Sequence, residues 1–269
     1  MLTLLWILAA CLAGGLLSVL LAALLSLGVT AARIPLLVSF AVGALLGAVF
    51  LEILPYALTR SSSVEAATAT VLAGLLLFFV LEKLVLWRHC HETDCEAHDP
   101  PQPAPAGHGH GRNPGHDHGR SGALILVGDT FHNFVDGILI AAAFMADWQL
   151  GLVTAAAIIT HEVPQELSNF LILLHSGYTR RRAILYNLIS GFAMVIGGIV
   201  AWLALSPLMQ WVPSLVALAS ASMLYVAVAD LIPGLHRRPE LSATVQQTAL
   251  IGLGVATIWV VSRIVDHVV

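Results

Sequence analysis

Long apolar stretches alternate with short polar connections along this chain. Eight stretches have about 20 or more residues, the length that a helix needs to cross about 30 Å of hydrocarbon. The pattern therefore predicts an all-α integral membrane protein, with eight spans in a single transmembrane domain over residues 1–269. The predicted spans are 4–27, 36–58, 64–87, 122–145, 150–175, 183–205, 211–235 and 244–265.

The composition agrees with this pattern. Of the 269 residues, 58% are hydrophobic and 10% are charged, and the mean hydropathy is +0.88. These values exclude an ordinary soluble domain. The first span has no basic residue before it and is too long and too uniformly apolar for a cleavable signal, so we expect it to stay in the protein. The sequence gives no indication of nucleic-acid binding or of an organic cofactor.

The basic residues predict the orientation of the spans. With the N-terminus outside, ten of the twelve Lys and Arg residues fall on the cytosolic side, and only Arg60 and Arg263 fall outside. Because cytoplasmic connections carry an excess of Lys and Arg, this asymmetry predicts extracytoplasmic termini and a cytosolic connection at 88–121. The short loops favour the inner membrane of a bacterium as the location.

The 88–121 connection is the one long polar region. Its background of Pro and Gly cannot form a core, and its many histidines are typical of a flexible, metal-attracting segment. No spacing matches a closed zinc site, so we expect several weak, exchangeable contacts. The alternative is a solvated linker with incidental histidines. The candidates for metal capture are His89, Cys90, His91, Cys95, His98, His108, His110, His116 and His118.

Two polar runs interrupt the fourth and fifth predicted spans, HNFVDG at 132–137 and HEVPQE at 161–166. One ionised carboxylate at the centre of a spanning helix costs about 2.5 to 3.5 kcal/mol, and neither span contains Lys or Arg. Imidazole, carboxylate and carboxamide groups bind divalent metals, which would supply the missing positive charge. The predicted metal ligands are His132, Asn133, Asp136, His161, Glu162, Gln165 and Glu166.

Spacing and depth support a shared site. Residues four apart lie on one helical face, as His132 and Asp136 do, and as His161 and Gln165 do. Each histidine lies near the middle of its span, so two facing helices can surround a cation. Pro164 lacks a backbone donor and loosens the helix beside the site. The alternative is that each of these polar side chains forms only an interhelical hydrogen bond.

A short repeat offers an independent indication of transport. Glu52 precedes Pro55 by three residues in EILP, and Asp230 precedes Pro233 by three in DLIP. This match predicts an inverted repeat of spans 1–3 and 6–8 around spans 4 and 5, an arrangement typical of transporters; chance similarity is the alternative. Three acids are candidates for an ion pathway or gate, with structural hydrogen bonds or solvation as the alternative roles: Asp129, Glu52 and Asp230.

The paired runs resemble the signatures of the fourth and fifth spans of the ZIP (Zrt/Irt-like) divalent metal transporter family. The span count, the external termini and the His-rich loop agree with that family, so the resemblance covers essentially the whole chain and indicates a bacterial member. It implies metal uptake into the cytosol by an elevator-type movement. It also implies a primary site of His132, Asp136, His161 and Gln165, with Asn133, Glu162 and Glu166 in or beside a second site.

The chain departs from the family at three points. Many relatives carry His where this chain has Gln165, and some offer a Glu near Met194 on the sixth span. A neutral amide and a thioether are weaker ligands, so we expect altered metal choice and a second site that is incomplete. HNFVDG also lacks the Pro that several relatives have, which predicts a straighter fourth helix.

The predicted function is therefore transport of a divalent metal, without enzyme activity. The ligand types favour zinc, with cadmium, iron, manganese and cobalt as alternatives. An intramembrane zinc hydrolase is the rival from another class, but HEVPQ lacks the second His of HExxH. A metal exporter and a metal-sensing receptor are further alternatives. The expected partners are metal ions and the lipid bilayer, with a homodimer as one assembly.

Overall fold

The computed structural model describes residues 2–28, 33–87, 120–236 and 240–268, and within these ranges it contains eight helices and no strand. This confirms the predicted all-α fold, and every predicted span agrees with one helix to within three residues at either end. The helices are α1 Leu2–Leu25, α2 Ile34–Arg60, α3 Val64–Trp87, α4 Arg120–Ala146, α5 Trp148–His175, α6 Arg180–Leu205, α7 Met209–Leu235 and α8 Leu241–Val268.

Six of the described helices are long and apolar enough to cross a membrane: α1, α2, α3, α6, α7 and α8. The other two, α4 and α5, have 27 and 28 residues and carry the two polar runs. The chain is thus a multi-span membrane protein whose two polar helices are held among apolar ones. The loop candidates between His89 and His118 lie outside the described residues.

A tight corner joins α4 to α5. Asp147 is the one residue between them, and its side chain accepts hydrogen bonds from the backbone N–H groups of Gln149 and Leu150 at 2.9 and 3.1 Å, which caps α5. A methyl group on Gly151 would lie 2.3 Å from the Phe144 ring, so only glycine allows this approach. The corner turns α5 back along α4 and brings the two polar runs together.

The helices pack in two groups. In the first group, α4 packs most extensively on α6, and α1 contacts α4, α5 and α6. In the second group, α2 packs along α8, and α3 packs along α7, which also contacts α2. The groups meet where α5 contacts α2 and α8 and where α4 contacts α7. Both halves of the predicted site therefore belong to the first group.

Glycines allow direct backbone contact inside each group. A methyl group on Gly137 of α4 would lie 1.9 Å from the carbonyl oxygen of Met194 on α6. In the second group, a methyl group on Gly43 of α2 would lie 2.1 Å from the carbonyl oxygen of Ile251 on α8. Small residues permit such close packing of helices in a membrane. These contacts make the α4–α6 pair and the α2–α8 pair tightly packed units.

Wider π-helical turns occur in three of the spanning helices. In α2 the turn covers Val49–Ile53, and in α7 it covers Val226–Leu231; each ends two residues before the proline of the repeated tetrapeptide. A proline ring clashes with the carbonyl four residues earlier, and a wider turn relieves that clash. The two tetrapeptides thus share a local structure, while the inverted repeat of whole spans stays a prediction. The third turn, Ala13–Leu17 in α1, lies where α1 approaches α6.

Candidate metal site

The two histidines of the polar runs meet at the middle of their helices. His132 is the thirteenth of the 27 residues of α4, and His161 is the fourteenth of the 28 residues of α5. Their Nε2 atoms lie 3.3 Å apart, and the rings pack edge to face with centroids 5.6 Å apart. The antiparallel helices therefore present both imidazoles to one point inside the protein.

Two carboxylates complete a group that we name the ligand cluster: His132, Asp136, His161 and Glu162. Asp136 Oδ2 lies 3.5 Å from His132 Nε2 and 3.3 Å from His161 Nε2. Glu162 Oε1 lies 3.5 and 3.6 Å from the same two nitrogens. All four ligand atoms lie within 4.8 Å of one another, and among the described residues this is the one such group of His, Cys, Asp and Glu side chains.

The spacing of these atoms fits a tetrahedral ion. Zinc lies about 2.0 to 2.2 Å from nitrogen and oxygen ligands, which places neighbouring ligands of a tetrahedron about 3.3 to 3.6 Å apart. Five of the six distances within the ligand cluster fall between 3.3 and 3.6 Å. The side chains therefore converge on one point at the distances that a four-coordinate metal requires.

Hydrogen bonding orients the His161 ring for this role. His161 Nδ1 lies 3.3 Å from the carbonyl oxygen of Ala157, one turn earlier on α5. A carbonyl only accepts, so Nδ1 carries the proton and donates it, and the lone pair of Nε2 is free for a metal. The His161 side chain is 2% exposed, whereas the His132 side chain is 20% exposed, so the cluster has one open side.

Several buried oxygens in and beside the ligand cluster have no hydrogen-bond partner among the described residues. Asp136 and Glu162 are 2% and 0% exposed, yet Asp136 Oδ2 and both carboxylate oxygens of Glu162 accept no hydrogen bond from the described residues. An unpaired buried carboxylate is strongly destabilising, so these atoms require a cation or protons. Three further groups in the polar runs also have buried oxygens that accept no hydrogen bond from the described residues: Asn133 Oδ1, Gln165 Oε1 and the Glu166 carboxylate.

These three further side chains lie one position or one turn away from the ligand cluster. Asn133 is fully buried, and its Nδ2 donates to the carbonyl oxygen of Asp129 at 3.1 Å, which leaves its Oδ1 as a free acceptor. Glu166 is also fully buried, one turn after Glu162. The arrangement brings Glu162, which the resemblance assigns in or beside a second site, into direct contact with two of the predicted primary ligands, His132 and His161.

Asp129 lies in a different environment, which we name the Asp129 tie: Asp129, Asn169 and Ser190. Asp129 Oδ1 accepts a hydrogen bond from Asn169 Nδ2 at 2.7 Å, and Oδ2 accepts one from Ser190 Oγ at 2.5 Å. Asp129 is 5% exposed, so it is enclosed by protein. Sequence reasoning missed Asn169 and Ser190, although Asn169 lies on the ligand face of α5, seven residues after Glu162.

The other two acids named as gate candidates lie outside the ligand cluster. Glu52, in the π-helical turn of α2, accepts a hydrogen bond from Ser262 Oγ of α8. It lines a cavity of about 200 Å³ together with Arg60 and Asp147. Asp230 is exposed in the matching turn of α7.

Met194 fills space where some family members offer a carboxylate. It is fully buried on α6, and a methyl group on Gly14 of α1 would lie 2.6 Å from its sulfur. The thioether therefore packs between helices of the first group. Cys11 is likewise a free, fully buried cysteine, beside Gly198.

Comparison with known proteins agrees with this architecture. The family model described as ZIP zinc transporter matches residues 1–262. Zinc transporter ZIP13 of Mus musculus is 29% identical over 257 residues, which cover 87% of this chain and 71% of the relative. Zinc transporter ZIP13 of Homo sapiens is 30% identical, over 87% of this chain and 72% of the relative.

A second relative matches the chain more locally. Zinc transporter ZIP4 of Rattus norvegicus is 39% identical over 133 residues, which cover 48% of this chain but only 20% of the relative. The chain thus spans about a fifth of the length of that curated relative. These relatives are transporters by name, which agrees with the prediction that the chain is not an enzyme and does not favour the hydrolase alternative.

Proposed function

Because the chain belongs to the ZIP zinc transporter family, we propose that it moves zinc across a membrane through the ligand cluster. The observation that carries this proposal is the convergence of two imidazoles and two carboxylates, at tetrahedral spacing, in the middle of α4 and α5. The proposed primary ligands are His132, Asp136, His161 and Glu162.

Charge favours a divalent substrate at this cluster. Two neutral imidazoles and two carboxylates carry a net charge of −2, so one divalent ion makes the loaded site electrically neutral. A monovalent ion would leave a net negative charge in an apolar surrounding, which is costly. The nitrogen and oxygen ligands suit zinc, cadmium, iron, manganese and cobalt, whereas the absence of a thiolate among the described cluster ligands disfavours monovalent copper.

A second ion site adjoins the first. The free oxygens of Asn133, Gln165 and Glu166 lie on the same two helices, and Glu162 has a second carboxylate oxygen without a donor. Carboxylates can bridge two ions, so Glu162 would connect the sites. Glu166 then binds the second ion or holds a proton when that ion is absent. Gln165 is a weak ligand beside both.

The packing of the helices supports a sliding movement for transport. The first group contains both ligand-bearing helices and has glycine-mediated contact between α4 and α6. We propose that this group slides as a unit against the second group and exposes the loaded site to either face in turn. A neutral loaded site crosses the apolar interface at lower cost than an empty one of charge −2.

Cross-linking tests the movement. A Tyr56→Cys, Ala146→Cys pair joins the two groups, because the Tyr56 hydroxyl donates to the Ala146 carbonyl at 3.2 Å. A Phe78→Cys, Tyr225→Cys pair, whose rings have centroids 6.4 Å apart, lies within the second group. In a cysteine-free background, a short bismaleimide should stop transport in the first variant only. Equal transport in both cross-linked variants would contradict the sliding movement.

The proposed orientation has both termini outside the cytosol, and the proposed direction is uptake. The excess of Lys and Arg on one side supports the orientation, and a bacterial inner membrane stays the proposed location. The 88–121 loop would then receive zinc in the cytosol. A membrane-impermeant maleimide should label Cys90 and Cys95 only in inside-out vesicles. Labelling of these cysteines in right-side-out vesicles would show that the orientation is the opposite of the proposed one.

Zinc flux into liposomes tests the function itself. Purified wild-type chain should give zinc-dependent flux, and His132→Ala combined with His161→Ala should abolish it. His236→Ala is a matched control, because that imidazole is exposed at the end of α7, outside the cluster. Flux retained in the double variant would refute the site. A wild-type protein that binds zinc but does not conduct it would indicate a receptor.

A further inference from the structure

The Asp129 carboxylate joins three helices through neutral donors. It belongs to α4, while Asn169 belongs to α5 and Ser190 belongs to α6, and the two hydrogen bonds measure 2.7 and 2.5 Å. Thr130 adds a fourth side chain, since its hydroxyl lies 3.2 Å from Ser190 Oγ. Every side-chain oxygen of Asp129 therefore has a donor, and the donors come from two other helices.

The tie lies on the same helical faces as the ligand cluster. Asp129 precedes Asp136 by seven residues, and Asn169 follows Glu162 by seven, so each pair is two turns apart on one face. The Asp129–Asn169 hydrogen bond thus fixes the rotation of α4 against α5 along the line on which the metal ligands meet. The main-chain oxygen of Asp129 also accepts from Asn133 Nδ2 at 3.1 Å, which aims that side chain.

We propose that Asp129 is a positioning residue rather than an ion ligand. With Asn169 and Ser190 it holds α4, α5 and α6 in register, so that the ligand cluster is formed before zinc arrives. This inference rests on the proposed function, because it assigns the tie a role in preparing that site. Partners that orient ligands from outside the coordination sphere typically contribute about 10 to 100-fold in metal affinity.

Hydrogen-bond geometry and charge can be separated at this position. In Asp129→Asn, the new Oδ1 can accept from Ser190, and its Nδ2 can donate to Asn169 once that amide flips. Both bonds then persist without the negative charge. In Asp129→Leu, both bonds are lost at similar volume. A positioning role therefore predicts that the Asn variant resembles wild type and that the Leu variant does not.

The reciprocal change gives a second separation. Asn169→Asp alone replaces the amide donor with a second carboxylate, which repels Asp129 and should weaken the connection between α4 and α5. Adding Asp129→Asn restores a carboxamide donor and a carboxylate acceptor across the same gap. The double variant should therefore recover the zinc affinity that Asn169→Asp loses.

The experiment measures zinc Kd by chelator competition, and the visible absorption of bound cobalt, for the purified full chain in detergent. We expect Asp129→Leu to raise the zinc Kd about 10-fold or more and to weaken the tetrahedral cobalt band, while Asp129→Asn keeps both near wild type. Ser190→Ala should give a smaller loss. Ser220→Ala is the matched control, because among the described residues that buried hydroxyl bonds within its own helix, at 3.2 Å to the Val216 carbonyl.

The outcomes distinguish this inference from the proposed function. A wild-type chain with no zinc affinity and no cobalt band would refute the metal site itself. Wild-type binding combined with an Asp129→Asn variant as weak as Asp129→Leu would show that the charge acts on the ion, which overturns the positioning role. An Asp129→Leu variant that binds zinc like wild type would overturn it as well.

Discussion

The ligand cluster and the Asp129 tie lie one helical turn apart on α4, yet they satisfy buried carboxylates in opposite ways. In the cluster, Glu162 has two oxygens that accept no hydrogen bond from the described residues. In the tie, both Asp129 oxygens accept one. Burial is similar, at 0% and 5% exposure. The difference supports the proposal that the cluster binds the ion and that the tie is a fixed connection between helices.

This contrast also separates two uses of polar groups inside a membrane. Hydroxyl and amide donors stabilise a carboxylate permanently and connect helices. An unpaired carboxylate destabilises the folded protein when no ion is bound and stabilises it when an ion is bound, so its contribution to stability depends on whether the site holds an ion. The first group of helices therefore contains both kinds of carboxylate: Asp129, which is paired permanently, and the cluster carboxylates, which are paired only when an ion is bound.

The largest expected effect comes from removing an anionic ligand of the cluster. Asp136→Ala should abolish zinc flux, because it leaves the bound ion with one net positive charge. Breaking a buried ionic interaction costs about 3 to 5 kcal/mol, which corresponds to about 100-fold or more in affinity. Zinc competition assays at equal protein recovery measure it. Wild-type zinc affinity in Asp136→Ala would contradict the proposal that the carboxylates of the ligand cluster bind the ion.

A smaller effect should separate the two glutamates of α5. Glu162→Gln should lower the affinity for the first zinc ion, since Oε1 of Glu162 lies 3.5 Å from His132 Nε2. Glu166→Gln should leave that first affinity largely intact and reduce the number of bound ions. Calorimetric titration gives both quantities. The reverse ranking would place the primary ion one turn further along α5.

Acidification should weaken zinc binding at the cluster. Zinc binds neutral imidazole and ionised carboxylate, so any protons held by the empty site are expelled on loading. As pH falls, protons compete with zinc, and one released proton corresponds to a Kd that rises about tenfold per pH unit. Competition assays in buffers between about pH 7.5 and 5.5 cover the range in which histidine titrates. A Kd that does not change with pH would mean that the empty cluster holds no protons.

The smallest expected effect is a loss of stability in the α4–α6 pair, which packs behind both regions. Gly137→Ala places a methyl group 1.9 Å from the Met194 carbonyl oxygen and should force α4 away from α6. Overpacking of this kind costs about 1 to 3 kcal/mol. Gly128→Ala on the same helix places its methyl group more than 4 Å from any neighbour among the described residues and is the matched control. In a thermal-shift assay, the melting temperature of Gly137→Ala should fall below that of the wild type, whereas that of Gly128→Ala should not. Equal melting temperatures for the two variants would contradict the close contact.

The sequence predicted the helices well because hydropathy over about 20 residues is a property of the chain itself. The four-residue spacing of His132 and Asp136 predicts one shared helical face, and the structure brings both side chains beside His161; the predicted Gln165 lies outside that group, and the assignment of the metal ligands stays a prediction. The sequence did not predict that Glu162 joins the two histidines directly, because that depends on the rotation of α5 against α4. The sharp corner at Asp147 and the contact at Gly151 contribute to that rotation.

The Asp129 tie was beyond sequence reasoning for a different reason. Ser190 is the one serine in a largely apolar span, and such a hydroxyl most often bonds to its own helix. Only the packing of α6 against α4 shows that its hydroxyl reaches Asp129. Asn169 had a weak signal in its heptad spacing from Glu162, but one spacing does not identify a partner helix.

The most direct test of the central claim is X-ray absorption at the zinc edge of the loaded chain. The seven histidines and two cysteines of the 88–121 loop are replaced by serine, so that only the membrane site binds. We predict two imidazoles and carboxylate oxygens about 2.0 to 2.2 Å from zinc, and loss of this signal in His132→Ala combined with His161→Ala. Zinc that stays bound in the double variant, or a spectrum without imidazole scattering, would contradict the account.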